Sequence, residues 1–151
     1  MKFGRILGIA ALTVALSGTI LYAQATGTAA EAKAMLEKAI AALKKDKAAA
    51  LAAFVKKDGG FQDRDLYVFC YNTSDGKFTA HINPALIGTD IRNLKEKDGS
   101  PLGQKIFDQA KAGTITTVDY KFPKPNTTEP LPKESFISVV EDQGCGVGYY
   151  K

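Results

Sequence analysis

The segment whose reading settles the fold is Asp65-Leu-Tyr-Val-Phe-Cys-Tyr-Asn-Thr-Ser-Asp-Gly-Lys-Phe-Thr-Ala-His-Ile82. Residues 65–71 are a dense run of β-branched and aromatic side chains, the composition of a strand. Thr73-Ser-Asp-Gly76 supplies turn chemistry, residues 77–82 resume as a second strand, and Asn83-Pro84 ends it. The unit is a hairpin. Alternation places Tyr67, Phe69 and Tyr71 on one face of its first strand and Leu66, Val68 and Cys70 on the other. In the second strand, Thr79 and His81 share a face, with Phe78, Ala80 and Ile82 opposite. Both faces of the first strand are apolar or aromatic, so the rest of the chain has to cover two sides.

Upstream, residues 26–55 are alanine-rich and helical in pattern. Thr28-Ala-Ala-Glu31 has capping-box spacing, and Leu36, Ile40 and Leu43 form a stripe at helical period. Lys44-Lys-Asp-Lys47 interrupts that stripe. Asp46 can cap a second short helix through Leu51, Phe54 and Val55, ending near Asp58-Gly59-Gly60. The small alanine face suits close packing on a sheet.

Downstream, residues 85–99 read as loop, with Gly88 and an Asp98-Gly99 turn. Ser100-Pro101 reads as an N-cap followed by proline at the first helical position. Leu102, Ile106 and Ala110 then mark a short amphipathic helix that stops at Gly113. Residues 114–122, 133–140 and 145–150 are the remaining strands. The proline-rich connection 123–132 is unsuited to a central strand, and residues 141–144 make the last turn. No internal repeat is visible. The expected class is α+β: a five-stranded antiparallel sheet, N-terminal helices on one face, and a loop–helix lid over residues 83–113 on the other. Tyrosines beneath such a lid make a pocket.

The chain of 151 residues opens with Lys2 and Arg5, an apolar run over 6–22, and Ala23-Gln-Ala25, a small-x-small cleavage pattern. Residues 1–25 are expected to be a cleaved signal peptide and 26–151 the mature domain, periplasmic or secreted. The competing assignment, an uncleaved anchor, is weakened by Thr13, Ser17, Gly18 and Thr19 within the run. Losing Lys2 and Arg5 takes the formal charge from +4 to 4 − 2 = +2, too mild for a nucleic-acid binder. Cys70 and Cys145 both fall in the mature part, where an oxidising compartment favours pairing; two buried thiols are the alternative. One histidine and no CxxC spacing leave no basis for a metal centre. Ser74, Ser100, Ser135 and Ser138 occur without a G-x-S-x-G elbow, so neither enzyme chemistry nor a cofactor is expected.

The runs "DLYVFCYNTSDGKFTAHINPALIGTDIRNLKEKDGSP", "DYKFPKP" and "PKESFISVVEDQGCGVGYYK" together resemble the single Cache domain. This is a PAS-like extracytoplasmic sensor module of bacterial chemoreceptors and histidine kinases. The resemblance runs from "DKAAALAAFVKKDGGF" to "GVGYYK". It rests on the aromatic strand, the Asp-Gly hairpin, the a-H-x-x-P-x-L-x-G motif at His81, the Lys-Asp-Gly turn and the lysine opening the fourth strand. It implies small-molecule sensing. Receptor members sit between two membrane spans, whereas this sequence ends at Lys151 after its last strand, so the free-standing exported form is expected. The resemblance also implies that the first and last strands lie side by side in mid-sheet, which would bring Cys70 near Cys145.

Five residues are candidates for ligand contact. His81 can donate to a small polar or anionic ligand under the lid; the competing role is ordering the Asn83-Pro84 turn. Lys133 can meet a carboxylate as a point charge, or be a solvated strand-end lysine. Tyr67, Phe69 and Tyr120 would form walls, with core packing as their alternative. Tyr149 and Tyr150 read as structural. The expected partner is an organic acid or amino-acid-like ligand, presented to a membrane receptor or sensor kinase. The rival reading is an interaction protein with a filled pocket.

Overall fold

The computed structural model describes residues 26–151; the expected signal peptide, residues 1–25, lies outside the described residues. Helix α1 (Ala29–Lys45) begins at the predicted capping box, with Glu31 N–H donating to Thr28 Oγ1 and Thr28 N–H donating to Glu31 Oε2. Asp46 ends α1 and caps α2 (Lys47–Lys56) by accepting from Ala49 N–H, so two helices replace one long one. The buried stripe of α1 is Ala32, Met35, Leu36, Ala39 and Leu43, and its two alanines let the helix settle close on the sheet. From α2, Ala50 and Phe54 are buried, and Phe54 meets Phe61 edge-on at 4.6 Å.

Six strands follow: β1 (Gln62–Asp63), β2 (Leu66–Asn72), β3 (Phe78–Ala80), β4 (Thr116–Pro123), β5 (Pro130–Val140) and β6 (Gln143–Tyr150). The order is β1-β2-β6-β5-β4, with β3 also paired to β2, and all pairings are antiparallel. The five expected strands are present, and two-residue β1 adds a sixth. It shares the free edge of β2 with β3, pairing at Leu66 and Tyr67 while β3 pairs at Cys70 and Tyr71. Asp63 belongs to this added strand.

The remaining departures are local. The β2–β3 register shifts between Cys70 and Tyr71, so Phe78 opposes Tyr71 while Ala80 opposes Cys70. Strict alternation fails there: Phe78 goes to the lid side and Ala80 to the helix side. β3 stops at Ala80, so His81 lies just beyond the strand. Residues 84–94 form two 3₁₀ turns, Pro84–Leu86 and Ile91–Asn93, because Asn83 and Asp90 each cap the backbone two residues on. Helix α3 (Leu102–Gln109) is capped by Pro101 with no side-chain bond and ends before Gly113. The prolines at 123, 130 and 132 do enter strands, but beyond the end of β6, which pairs with β5 only from Lys133. At that two-stranded tip a missing amide donor costs little.

Two apolar layers result. Leu66, Val68, Cys70, Cys145 and Val147 face the helices, while Tyr67, Phe69, Tyr71, Phe78 and Ile137 face the lid residues Ile91, Leu102 and Ile106. Backbone bonds stitch the lid to the sheet edge, including Phe78 N–H to Thr89 O and Ile91 N–H to Gly76 O, each 2.9 Å. Cys70 and Cys145 face each other across β2 and β6 and form a disulfide between residues 75 apart in sequence. Among the described residues no helix is long and apolar enough to cross a membrane.

Closing that 75-residue span restricts the unfolded chain, which stabilises the fold by about 4 kcal/mol on the chain-entropy model. Cys70→Ser/Cys145→Ser should lower the urea midpoint by the equivalent amount, as should reduction of the wild type. An unchanged midpoint after full reduction would show that the link contributes nothing.

Candidate functional site

All five sequence candidates gather at the end of the lid-facing layer. Tyr67 and Phe69 project from β2, Tyr120 from β4 and Lys133 from β5, because antiparallel register sets Tyr120 opposite Lys133 and Lys133 opposite Tyr150. His81 enters from the turn after β3, with its ring edge-on to Tyr67 and to Phe78 at 5.3 Å each. Tyr67, Phe69, His81 and Lys133 are buried, and Tyr120 is half-buried.

Lys133 is the unusual member. It is 2 % exposed, and its Nζ lies 4.4 Å from the Tyr67 ring centroid, 4.6 Å from that of Tyr150 and 5.9 Å from that of Phe122. Among the described residues its one hydrogen bond runs to Tyr67 Oη at 3.3 Å. Burial pushes its pKa down to about 7, against the pull of Asp65. An aromatic cage replaces only part of an ammonium's hydration, so the proton is held weakly.

His81 fills both roles the sequence allowed. Asn83 N–H donates to its Nδ1 at 2.9 Å, which orders the turn and places the neutral ring's proton on Nε2. Burial first, then the Lys133 charge, lower its pKa to about 4, so the ring is neutral near pH 7. Nε2–H bonds no described protein group. Tyr120 Oη pairs with Ser135 Oγ at 2.6 Å, and burial raises the phenol pKa of both Tyr67 and Tyr120. The site thus offers donors, an ammonium and an imidazole N–H, within apolar walls.

Between sheet and lid the free space is small. A cavity of about 20 Å³ is lined by Tyr67, Phe69, Phe78, His81 and Tyr120, with lid residues above, which is room for one water. Beside it opens a cleft of about 830 Å³, whose wall includes Tyr67, His81 and Phe122. The niche is therefore nearly filled and adjoins a much larger cleft.

Sequence reasoning missed three neighbours. Tyr150, read as structural, stacks on Lys133 while its Oη donates to Pro123 O at 2.7 Å. Phe122 shares the lid face of β4 with Tyr120, as period-two spacing allows. Gly148 is the third: a Cβ there would collide with Lys133 Cε and Ser135 Oγ. The same holds along β6, where a Cβ on Gly144 would strike Tyr71 and one on Gly146 would strike Phe69. The alternation Gly144-x-Gly146-x-Gly148 was the available signal: it clears a lane in which large side chains from β2 and β5 lie across β6. Among the described residues no three His, Cys, Asp or Glu side chains cluster as metal ligands.

The family model described as the Cache domain matches residues 57–148. The chain is 30 % identical over 87 residues to the methyl-accepting chemotaxis protein McpP of Pseudomonas putida, a match covering 57 % of this chain and 16 % of that receptor. Among solved structures, a methyl-accepting chemotaxis protein from Vibrio parahaemolyticus aligns with TM-score 0.64 and 24 % identity, over 80 % of this chain and 86 % of that one. A periplasmic sensor domain of a chemotaxis protein aligns with TM-score 0.61 and 26 % identity, over 78 % and 86 %. A Cache chemosensory domain described for carboxylic acid recognition aligns with TM-score 0.60 and 22 % identity, over 78 % and 84 %.

A lysine whose pKa is lower folded than unfolded costs stability while protonated. That cost is complete below pH 7 and fades as pH rises from about 7 towards 10.5. Lys133→Met should therefore stabilise the ligand-free domain by about 1–4 kcal/mol at pH 6.5, with the gain shrinking by pH 9. Urea unfolding at the two pH values measures it; destabilisation by the variant at both would mean the cage favours the charged amine.

Proposed function

Because this chain belongs to the Cache domain family, we propose that it is an extracytoplasmic sensor module holding a short organic carboxylate between its sheet and its lid. The observation that carries this reading is Lys133: a buried ammonium with one long bond, beside an imidazole N–H that bonds no described protein group. Two donors, one of them cationic, suit a two-oxygen anion, and the reading gives each a partner. The carboxylate would accept from Lys133 Nζ and His81 Nε2–H, and the rings of Tyr67, Phe69 and Tyr120 would enclose its short apolar tail. The chemistry is recognition without covalent change.

The niche of about 20 Å³ is too small for such a guest, so binding requires movement. Its aromatic wall faces the open cleft at Tyr67, His81 and Phe122, and displacement there joins the two spaces. The disulfide supports an oxidising compartment, in keeping with an exported domain. A membrane receptor or sensor kinase would read the occupied state. The small volume of the niche also favours a second reading, in which the fold acts through its surface and takes no small molecule.

Short carboxylates should raise the melting temperature by several degrees, since ligand at a hundred times its Kd contributes about 2.7 kcal/mol. Lys133→Met or His81→Ala should abolish that rise. No shift with any carboxylate, amino acid or amine would favour the surface reading.

The lysine also sets a pH dependence. Free Lys133 loses its proton above about pH 7, so carboxylate affinity should hold below pH 7 and fall about tenfold per unit above it. Titration calorimetry at pH 6, 7 and 8 tests this; equal affinities would remove Lys133 as the anion's partner.

A further inference from the structure

The cleft of about 830 Å³ lies between β1, the start of the lid and the tip of the β4–β5 hairpin. Its wall contains Tyr67 and His81, and also Asp65, which the reading above does not use. Asp65 is 7 % exposed. Its Oδ1 accepts from Gly27 N–H at 2.7 Å, a buried bond that anchors the chain leading into α1. Its Oδ2 is buried without a hydrogen-bond partner among the described residues. Lys124 Nζ stands 3.8 Å away, an ion-pair distance too long for a hydrogen bond, and rests 5.2 Å from the Tyr150 ring centroid. A buried acceptor left without a donor opposes folding, and such orphans are uncommon in folded proteins.

The polarity of Asp65 is opposite to that of the other groups. Lys133 and His81 offer donors, whereas Asp65 offers an acceptor in the cleft wall that also holds Tyr67 and His81. It precedes Tyr67 by two residues, and its charge acts directly on the Lys133 ammonium. A ligand that answers all three groups carries a carboxylate and, next to it, a hydrogen-bond donor.

We propose that Asp65 Oδ2 is a second recognition point, accepting a hydrogen bond from a hydroxyl carried beside the ligand's carboxylate. This rests on the carboxylate reading above and narrows its ligand class to hydroxy acids. Charge balance selects hydroxyl over ammonium. Lys133 offsets the ligand's carboxylate and Lys124 offsets Asp65, so a neutral O–H donor completes the set. An ammonium would compete with Lys124 for the same oxygen.

The test is calorimetry at pH 6.5 with propionate, lactate and alanine, which share a three-carbon skeleton and differ at C2 by hydrogen, hydroxyl and ammonium. Lactate should bind the wild-type protein about tenfold more tightly than propionate, with alanine weaker than lactate. Asp65→Asn keeps an oxygen for Gly27 N–H and replaces Oδ2 with a donor; it should erase the lactate preference, leaving lactate and propionate equal in affinity. Lys124→Gln removes the competing cation and should shift the preference from lactate towards alanine, a result that does not depend on how well Asp65→Asn folds. Equal propionate and lactate affinities in the wild type, a lactate preference surviving in Asp65→Asn, or alanine outranking lactate in the wild type would each overturn the hydroxyl assignment while sparing the carboxylate reading. Failure of all three ligands to bind the wild type would overturn both.

Discussion

The pairing of β2 with β6 is the constraint on which the rest of the structure depends. These two strands are far apart in sequence, occupy the middle of the sheet, and are buried on both faces along nearly their whole length. The Cys70–Cys145 link lies within that pairing. Each face of the pair then dictates one layer. The small and branched side chains Val68, Cys70, Cys145 and Val147 accept the alanine-rich stripe of α1. The opposite face carries aromatic rings from β2 and glycines from β6, which is an uneven surface that only a moulded lid covers.

That unevenness creates the candidate site. Glycines at 144, 146 and 148 leave a trough across β6, and Tyr71, Phe69 and Lys133 lie in it. Lys133 is the last of the three, at the end where β6 pairs with the mouth of the proline hairpin. Its ammonium is drawn out of water over three aromatic rings, an arrangement whose desolvation opposes folding unless an anion joins it. Stability and recognition are therefore set against each other at one atom. A site that is stable without its guest would have less to gain from binding it.

The site also borders the start of α1. Asp65 ties the cleft wall to Gly27, the residue leading into α1, by a buried bond. Arg64 beside it bonds Glu31 in the first turn of α1 and the backbone of Thr26. The start of the long helix is thus fastened to the residues that border the candidate site, so a displacement of the cleft wall reaches that helix through short, directional bonds. The chain spans 16 % of the curated receptor it matches.

Local chemistry determined much of this from sequence alone. The capping box at Thr28, the second cap at Asp46 and the hairpin at residues 65–80 each depend on groups a few residues apart, so their pattern is complete in the linear chain. Period-two alternation likewise sorted β2 into its helix-facing and lid-facing sets. The same rule failed at β3, because a register shift is negotiated between two strands and leaves no signature in either. Burial of Lys133 was also beyond sequence: a lysine at a strand end reads as solvated until Tyr150, Phe122 and the glycines of β6 close around it. The nearly filled niche and the orphaned oxygen of Asp65 belong to the same category, whereas the Cys70–Cys145 pairing was already expected from the two cysteines and the family resemblance. Each is a relation between residues tens of positions apart, and only the packed chain fixes such distances.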